Sequence, residues 1–267
     1  MVKSCAPLGG AHWECGIIYF ADMPEISIKA EGLFHLGSWS ITNAVVLSFL
    51  ALVVLVAIGL TLRKKLSLIP GKLQGVFELL LEEILKLMDS VLGERRTSEK
   101  YLPLVATIFL FILTSNWLGL FPGIGSLVLK NAGHGPVPLL RSPASDLNFT
   151  IALAVVSVLA ANILGPMALG FKRYFSKFFT IKNPFKFFIG LLEFISEFVK
   201  IISFSFRLFG NVFAGEVLLT IVLFLVPYAV PLPFMFLEIF VGFIQAFIFA
   251  MLTLVFIAMA TRPHEEH

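Results

Sequence analysis

The chain has 267 residues, of which 58% are hydrophobic and only 14% charged, with a formal net charge of +3. Soluble domains carry about 25% charged residues, so this chain cannot cover a water-facing surface, and most of it must meet lipid or other membrane helices. No basic tract with interleaved aromatics suggests nucleic acid, so no nucleic-acid partner is expected.

Residues 1–40 read as an extracytoplasmic tail with no basic-then-apolar signal segment, so the first span is expected to direct its own insertion. The tail holds the chain's 2 cysteines, Cys5 and Cys15. They lack histidines at ligand spacing and make a poor metal site; a disulfide and two free thiols both remain open. Residues 41–62 are uncharged and match the ~20 residues of a span, and Arg63, Lys64 and Lys65 stop it. Over 71–93, Leu73, Val76, Phe77, Leu80, Ile84, Leu87, Met88 and Val91 recur at helical spacing, with Lys72, Glu78, Glu82, Glu83, Lys86 and Asp89 opposite. That pattern predicts an amphipathic helix on the membrane surface or against partner helices.

Further spans are predicted at 102–122 and 147–170, separated by a Gly- and Pro-rich loop. Residues 185–226 contain no proline and read as one long helix. At 1.5 Å per residue it would run ~60 Å, twice the ~30 Å hydrocarbon layer, so it must tilt steeply or break near Gly210 or Gly215. Pro227, Pro231 and Pro233 are expected to end it, and a last long helix is predicted over 234–261. The fold class is thus an all-α polytopic membrane protein in a single membrane domain, 41–267. It has five hydrophobic passes and one interfacial amphipathic helix, and its last two helices are long and tilted.

Loop charges set the orientation. Arg63, Lys64, Lys65, Lys72, Lys86, Arg95, Arg96 and Lys100 crowd one loop, and Lys172, Arg173, Lys177, Lys182 and Lys186 another. The loop between them on the opposite side has only Lys130 and Arg141. The positive-inside rule places the N-terminus outside and the C-terminus in the cytoplasm.

The long helix carries the chemistry. At about 100° per residue, Glu193, Ser196, Lys200, Ser203 and Asn211 fall within about 40° of Arg207, and Glu197 about 80° away. Glu216 lies on the opposite face. On the last helix Glu238 and Gln245 stand above one another with Gly242 between. A charge at the bilayer centre costs about 2.5–3.5 kcal/mol, and arginine cannot escape by deprotonating. The bland alternative is a structural ion pair, whose acid would have to be Glu238 or belong to another protein. The functional reading is two laterally offset half-paths separated by the fixed charge of Arg207, so that a mobile acid must carry the ion past it.

At these residues the chain resembles subunit a of F-type ATP synthases. The resemblance rests on R-L-F-G-N-V-F-A-G-E at Arg207–Glu216, I-Q-A-F-I-F-A-M-L-T at Ile244–Thr253, S-N-W-L-G-L-F-P at Ser115–Pro122 and D-L-N-F-T at Asp146–Thr150. It covers about Glu25 to the C-terminus in order. It implies that Arg207 is the stator arginine facing the carboxylates of a rotating ring of c subunits, with Asn211, Glu216, Glu238 and Gln245 along the path. It also implies b-type peripheral-stalk subunits and a soluble ATPase sector as partners, and a bacterial cell membrane as the location, an organellar energy-coupling membrane being the alternative. In many relatives one of the positions held here by Glu216 and Glu238 is histidine; here both acids are expected to share the proton relay. Glu193 and Lys200 match family positions less decisively, and Glu197 and Ser203 join the path by their place on the helix.

No phosphate-binding glycine motif is present and no cofactor is expected, so the chain reads as a non-catalytic subunit. His12, His35, His134, His264 and His267 all fall in tails or loops. Asn116 either bonds across helices or lines the path; Asp146 reads as a helix cap, and Trp39 and Trp117 as interfacial or packing residues. A secondary transporter would also want intramembrane charges, but it predicts inverted repeats, and the unequal helices show none.

Overall fold

The computed structural model describes residues 3–7, 13–17, 32–36, 39–64, 66–67, 70–121, 128–130, 136–138, 140–170, 184–226 and 229–261. His12, His134, His264, His267, Pro227 and most of the basic stretch 171–186 lie outside these. Among the described residues, six long helices carry the architecture: α1 Asn43–Lys64, α2 Lys72–Leu92, α3 Arg95–Gly119, α4 Leu147–Leu169, α5 Pro184–Leu225 and α6 Pro231–Thr261. All but α2 are long and apolar enough to cross a membrane, so the chain is an α-helical multi-pass membrane protein. Three short antiparallel hairpins among the described residues supplement the helices: β1 Lys3–Pro7 with β2 Trp13–Ile17, β3 Gly32–Leu36 with β4 Trp39–Thr42, and β5 Val128–Lys130 with β6 Pro136–Pro138.

Helix limits follow backbone chemistry rather than hydropathy. α3 begins at Arg95, well before the apolar run near Leu102, because a helix can extend its charged first turns past the membrane surface. α6 begins at Pro231 rather than Phe234. Proline lacks only a donor that the first helical turn leaves unpaired anyway, so Pro231 and Pro233 open this helix instead of preceding it. α2 stops at Gly93, whose φ of 81° is the left-handed conformation that glycine adopts without strain; its N–H closes on the Asp89 carbonyl at 2.8 Å. α5 runs unbroken for 42 residues through Gly210 and Gly215.

The core lies where α3, α4, α5 and α6 meet, with α2 against α3. α6 is the central element. Gln245, Ala246, Phe249, Ala250, Thr253, Leu254 and Ile257 are buried at steps of three and four, a stripe wide enough to meet α3 on one side and α4 and α5 on the other. Phe204 of α5 enters it edge-on to Phe249 and beside Phe256, with ring centroids 4.7 Å and 5.1 Å apart. Buried Thr150 of α4 and Ser205 of α5 share a hydrogen bond of 3.0 Å. α5, though the longest helix, is exposed along much of its apolar length, including Phe187, Phe198, Ile202 and Phe206.

Segment 140–146 returns the chain into the bundle. A short 3-10 turn, Pro143–Ser145, is buried and touches α1, α3, α4 and α5. The Asp146 carboxylate then caps α4 by accepting from the Asn148 N–H at 3.0 Å, as a helix N-terminus requires.

Candidate functional site

Phe204, Ser205 and Leu208 turn one side of α5 into the core, and this aims the next residues outward. Val199, Ile202, Ser203, Phe206, Arg207, Gly210, Asn211 and Ala214 are exposed at helical steps. Arg207 stands in the middle of this open face. Its Nη2 donates only a long bond, 3.4 Å, to Ser203 Oγ one turn back. Among the described residues no carboxylate reaches ion-pair distance of it. A side chain added at Gly210 would meet nothing within 4 Å. A cation on an apolar helix, with no acid at ion-pair distance among the described residues, calls for a counter-charge brought by something packed against that face. Glu238, the acid of this chain that could have paired with it, is buried elsewhere.

On the N-terminal side of Arg207 the predicted stripe divides. Lys200 Nζ pairs with Glu197 Oε1 at 2.6 Å and lies 4.9 Å from the Phe256 ring centroid. Glu197 Oε2 accepts from Asn162 Nδ2 of α4 at 3.1 Å. Glu193 and Ser196 are half-buried, and the Ser196 hydroxyl donates back to the Glu193 carbonyl at 2.7 Å. Lys200 and Glu197 therefore face α4 and α6, while Ser203, Arg207 and Asn211 face outward. The helical wheel placed these residues near one another but could not show that two helices cover only part of the stripe. Asn162 was missed; an amide far from the ends of an apolar span was its one sequence signal.

On the C-terminal side two acids converge. The Glu238 carboxyl lies directly over Gly215, so closely that a Cβ there would collide with it. Glu216, the next residue, pairs with Arg141: Nε is 3.2 Å from Oε1. The same Nε donates to Ser145 Oγ at 3.1 Å. Arg141 had counted only as a loop charge in the sequence, yet its side chain is just 9% exposed. Three Gly–side-chain contacts shape this end. Gly215 admits Glu238, Gly242 admits Asn116, and Gly119 admits Ser142. Asn116 Nδ2 donates to the Gly242 carbonyl at 3.1 Å, so its bond across helices is formed. Trp117 Nε1 likewise reaches the Ile239 carbonyl at 3.2 Å. Gln245 is buried one and two turns further along α6 from Gly242 and Glu238.

Several polar atoms at this end are buried with no hydrogen-bond partner among the described residues: Ser115 Oγ, Asn116 Oδ1, Ser142 Oγ and Glu216 Oε2. Buried polar groups require partners, and a polar region lined by such atoms is suited to hold water.

Residues 44–258 match the family model described as ATP synthase A chain. The chain is 36% identical over 237 residues to ATP synthase subunit a of Moorella thermoacetica, covering 89% of this chain and 99% of the relative. It is 32% identical over 254 residues to that of Campylobacter jejuni serotype O:23/36, covering 94% of this chain and 99% of the relative. It is also 36% identical over 222 residues to that of Helicobacter pylori strain Shi470, covering 82% and 89%.

Proposed function

The chain belongs to the family of ATP synthase subunit a, and from that premise we propose that it is the proton-translocating stator subunit of a rotary ATP synthase in a bacterial cell membrane. In this reading the exposed face of α5 lies against a ring of c subunits. Arg207 meets each rotor carboxylate in turn, and peripheral-stalk and soluble ATPase subunits complete the assembly. The subunit is non-catalytic; ATP chemistry belongs to the soluble sector.

The mechanism follows from charge. A protonated rotor acid is neutral and tolerates lipid. Beside Arg207 the positive charge favours its ionised form, so its proton leaves along the approach lined by Glu193, Glu197 and Lys200. The charged acid cannot re-enter lipid until a proton arrives from the other approach, past Glu216, Glu238, Asn116 and Gln245. Asn211 and Ser203 flank the arginine on the same face. Each proton crossing with the membrane potential yields about 2.3 kcal/mol per 100 mV, available as torque. The N-terminus is placed outside and the C-terminus in the cytoplasm.

The observation that carries this reading is that Arg207 is exposed on an apolar face with no carboxylate partner among the described residues. A photo-crosslinking side chain placed at Phe206, Gly210 or Ala214 should capture a small, two-helix rotor protein in native membranes, and one at buried Leu208 should not. Adducts with lipid alone from all three exposed positions would overturn it.

A further inference from the structure

We propose that Arg141 is a positioning residue that holds Glu216 as a fixed counter-ion, so that Glu238 alone exchanges the proton at this end of the path. This rests on the reading above, in which Glu216 and Glu238 flank one approach to Arg207, and it gives the two acids unequal parts.

The arginine is rigidly mounted. The Ser145 hydroxyl donates to the Ser142 carbonyl at 2.8 Å, so its oxygen is left to accept from Arg141 Nε at 3.1 Å. Ser142 in turn packs on Gly119 at the end of α3. Pro143, Ala144 and Ser145 are buried among α1, α3, α4 and α5. The guanidinium thus reaches Glu216 from a strap fixed on several sides.

The two acids differ in what they meet. Glu216 has Arg141 on Oε1. Glu238 has no cation at ion-pair distance among the described residues, and its carboxyl fills the notch over Gly215. The Glu238 carboxyl lies over Gly215, the residue next to Glu216, so the two acids are neighbours. Two neighbouring carboxyls in an apolar site do not both hold a charge easily. A cation fixed beside one selects that one to stay ionised, and the other is left to take up and release the proton. Glu216 Oε2, which is buried with no hydrogen-bond partner among the described residues, then presents a constant negative charge toward the approach. It offsets Arg141, which would otherwise repel protons.

Charge balance gives a result that a proton-relaying Glu216 does not. Arg141 is the buried member of the pair, and Glu216 is 36% exposed; removing the partner of a buried charge leaves that charge less compensated, whereas removing both can be nearly neutral. ATP-driven proton pumping is measured in inverted membrane vesicles and normalised to assembled complex. Glu216→Gln should pump about tenfold more slowly, because the Arg141 charge then loses its carboxylate. The double variant Arg141→Gln with Glu216→Gln should recover several-fold over Glu216→Gln alone. Arg141→Lys should retain more pumping than Arg141→Gln, since it keeps the charge. Glu238→Gln should remain slow in every background.

A double variant no faster than Glu216→Gln would make Glu216 itself a relay and overturn the proposal. Wild-type pumping by Glu238→Gln would instead refute the underlying path, whatever Arg141 does. If the glutamine variants fail to assemble, the apolar pair Arg141→Met with Glu216→Leu decides. Pumping by that variant upholds the proposal. Assembly without pumping, or no assembly, overturns it.

Discussion

The carboxyl of Glu238 occupies the space that a side chain at Gly215 would fill. Only a residue without Cβ lets α5 and α6 approach closely enough for an acid of one to rest on the backbone of the other. Gly215→Ala must rotate Glu238 or separate the helices, and overpacking of this kind costs about 1–3 kcal/mol. With assembly retained, pumping per complex should fall about tenfold, in the range expected when a reacting group is misplaced by about 1 Å. Combining it with Glu238→Asp, one methylene shorter, should recover part of the loss. Normal pumping by Gly215→Ala alone would show that the Glu238 position does not matter.

Much of this geometry was legible in the sequence and some was not. Hydropathy marked five spans because lipid demands unbroken apolar runs, and the alternation of Leu73 to Val91 with charges marked α2. It did not mark where α3 and α6 begin, since charged and proline-bearing first turns are stable beyond the apolar run. The isolated charge on α5 singles out Arg207 as a candidate in the sequence, because a cation in an apolar span is expensive wherever it points. Arg141 was hidden for the opposite reason. A basic residue in a Gly- and Pro-rich loop looks solvated, and only the inward path of segment 140–146 buries it against Glu216. Asn162 and Glu197 are similarly remote in sequence and meet only through the packing of α4 on α5.

The junction of α2 and α3 should respond to pH in one direction. Arg95 binds Glu82 at 2.8 Å and also reaches Asp89 and Glu99. The hydrogen bond from Arg95 holds the Glu82 carboxyl below its ordinary value of 4.5. A depressed native value means that the contribution is complete above the ordinary range and drains away as pH falls through the lowered one. Near pH 7, Arg95→Ala should therefore raise amide hydrogen exchange around 83–98, modestly, because the pair is exposed and salt-screened. At a pH below the lowered values of Glu82 and Asp89 the variant and the wild type should exchange alike. An equal difference at both pH values would mean that Arg95 acts through packing rather than charge.

The proposed orientation is tested by exposed single cysteines in a chain whose Cys5 and Cys15 are replaced by serine. A membrane-impermeant thiol reagent added at the cytoplasmic face should label Lys64→Cys and Lys72→Cys and spare Phe121→Cys. From the outer face the pattern should reverse. Labelling of Lys72→Cys from outside would invert the topology, and with it the assignment of the two approaches.

Arg207 is the sharpest case, because a barrier and a structural cation fail differently. If its charge both draws the proton from an arriving rotor acid and keeps the two approaches apart, Arg207→Ala should abolish coupled ATP synthesis. The same variant should raise passive proton leak, since nothing then repels a proton crossing between the approaches. Arg207→Lys keeps a cation but loses the planar fork, and its ammonium is compact and strongly hydrated. It should also fail to couple, yet leak less than the Ala variant. The open setting of Arg207, with only a 3.4 Å bond to Ser203, argues that either replacement leaves the packing of this chain intact. A structural arginine would give another pattern: fewer assembled complexes, with synthesis falling only in proportion to their loss. Synthesis and leak, each divided by the amount of assembled complex in membrane vesicles, separate the two. Full coupling per complex in Arg207→Ala would leave the arginine with no part in transport.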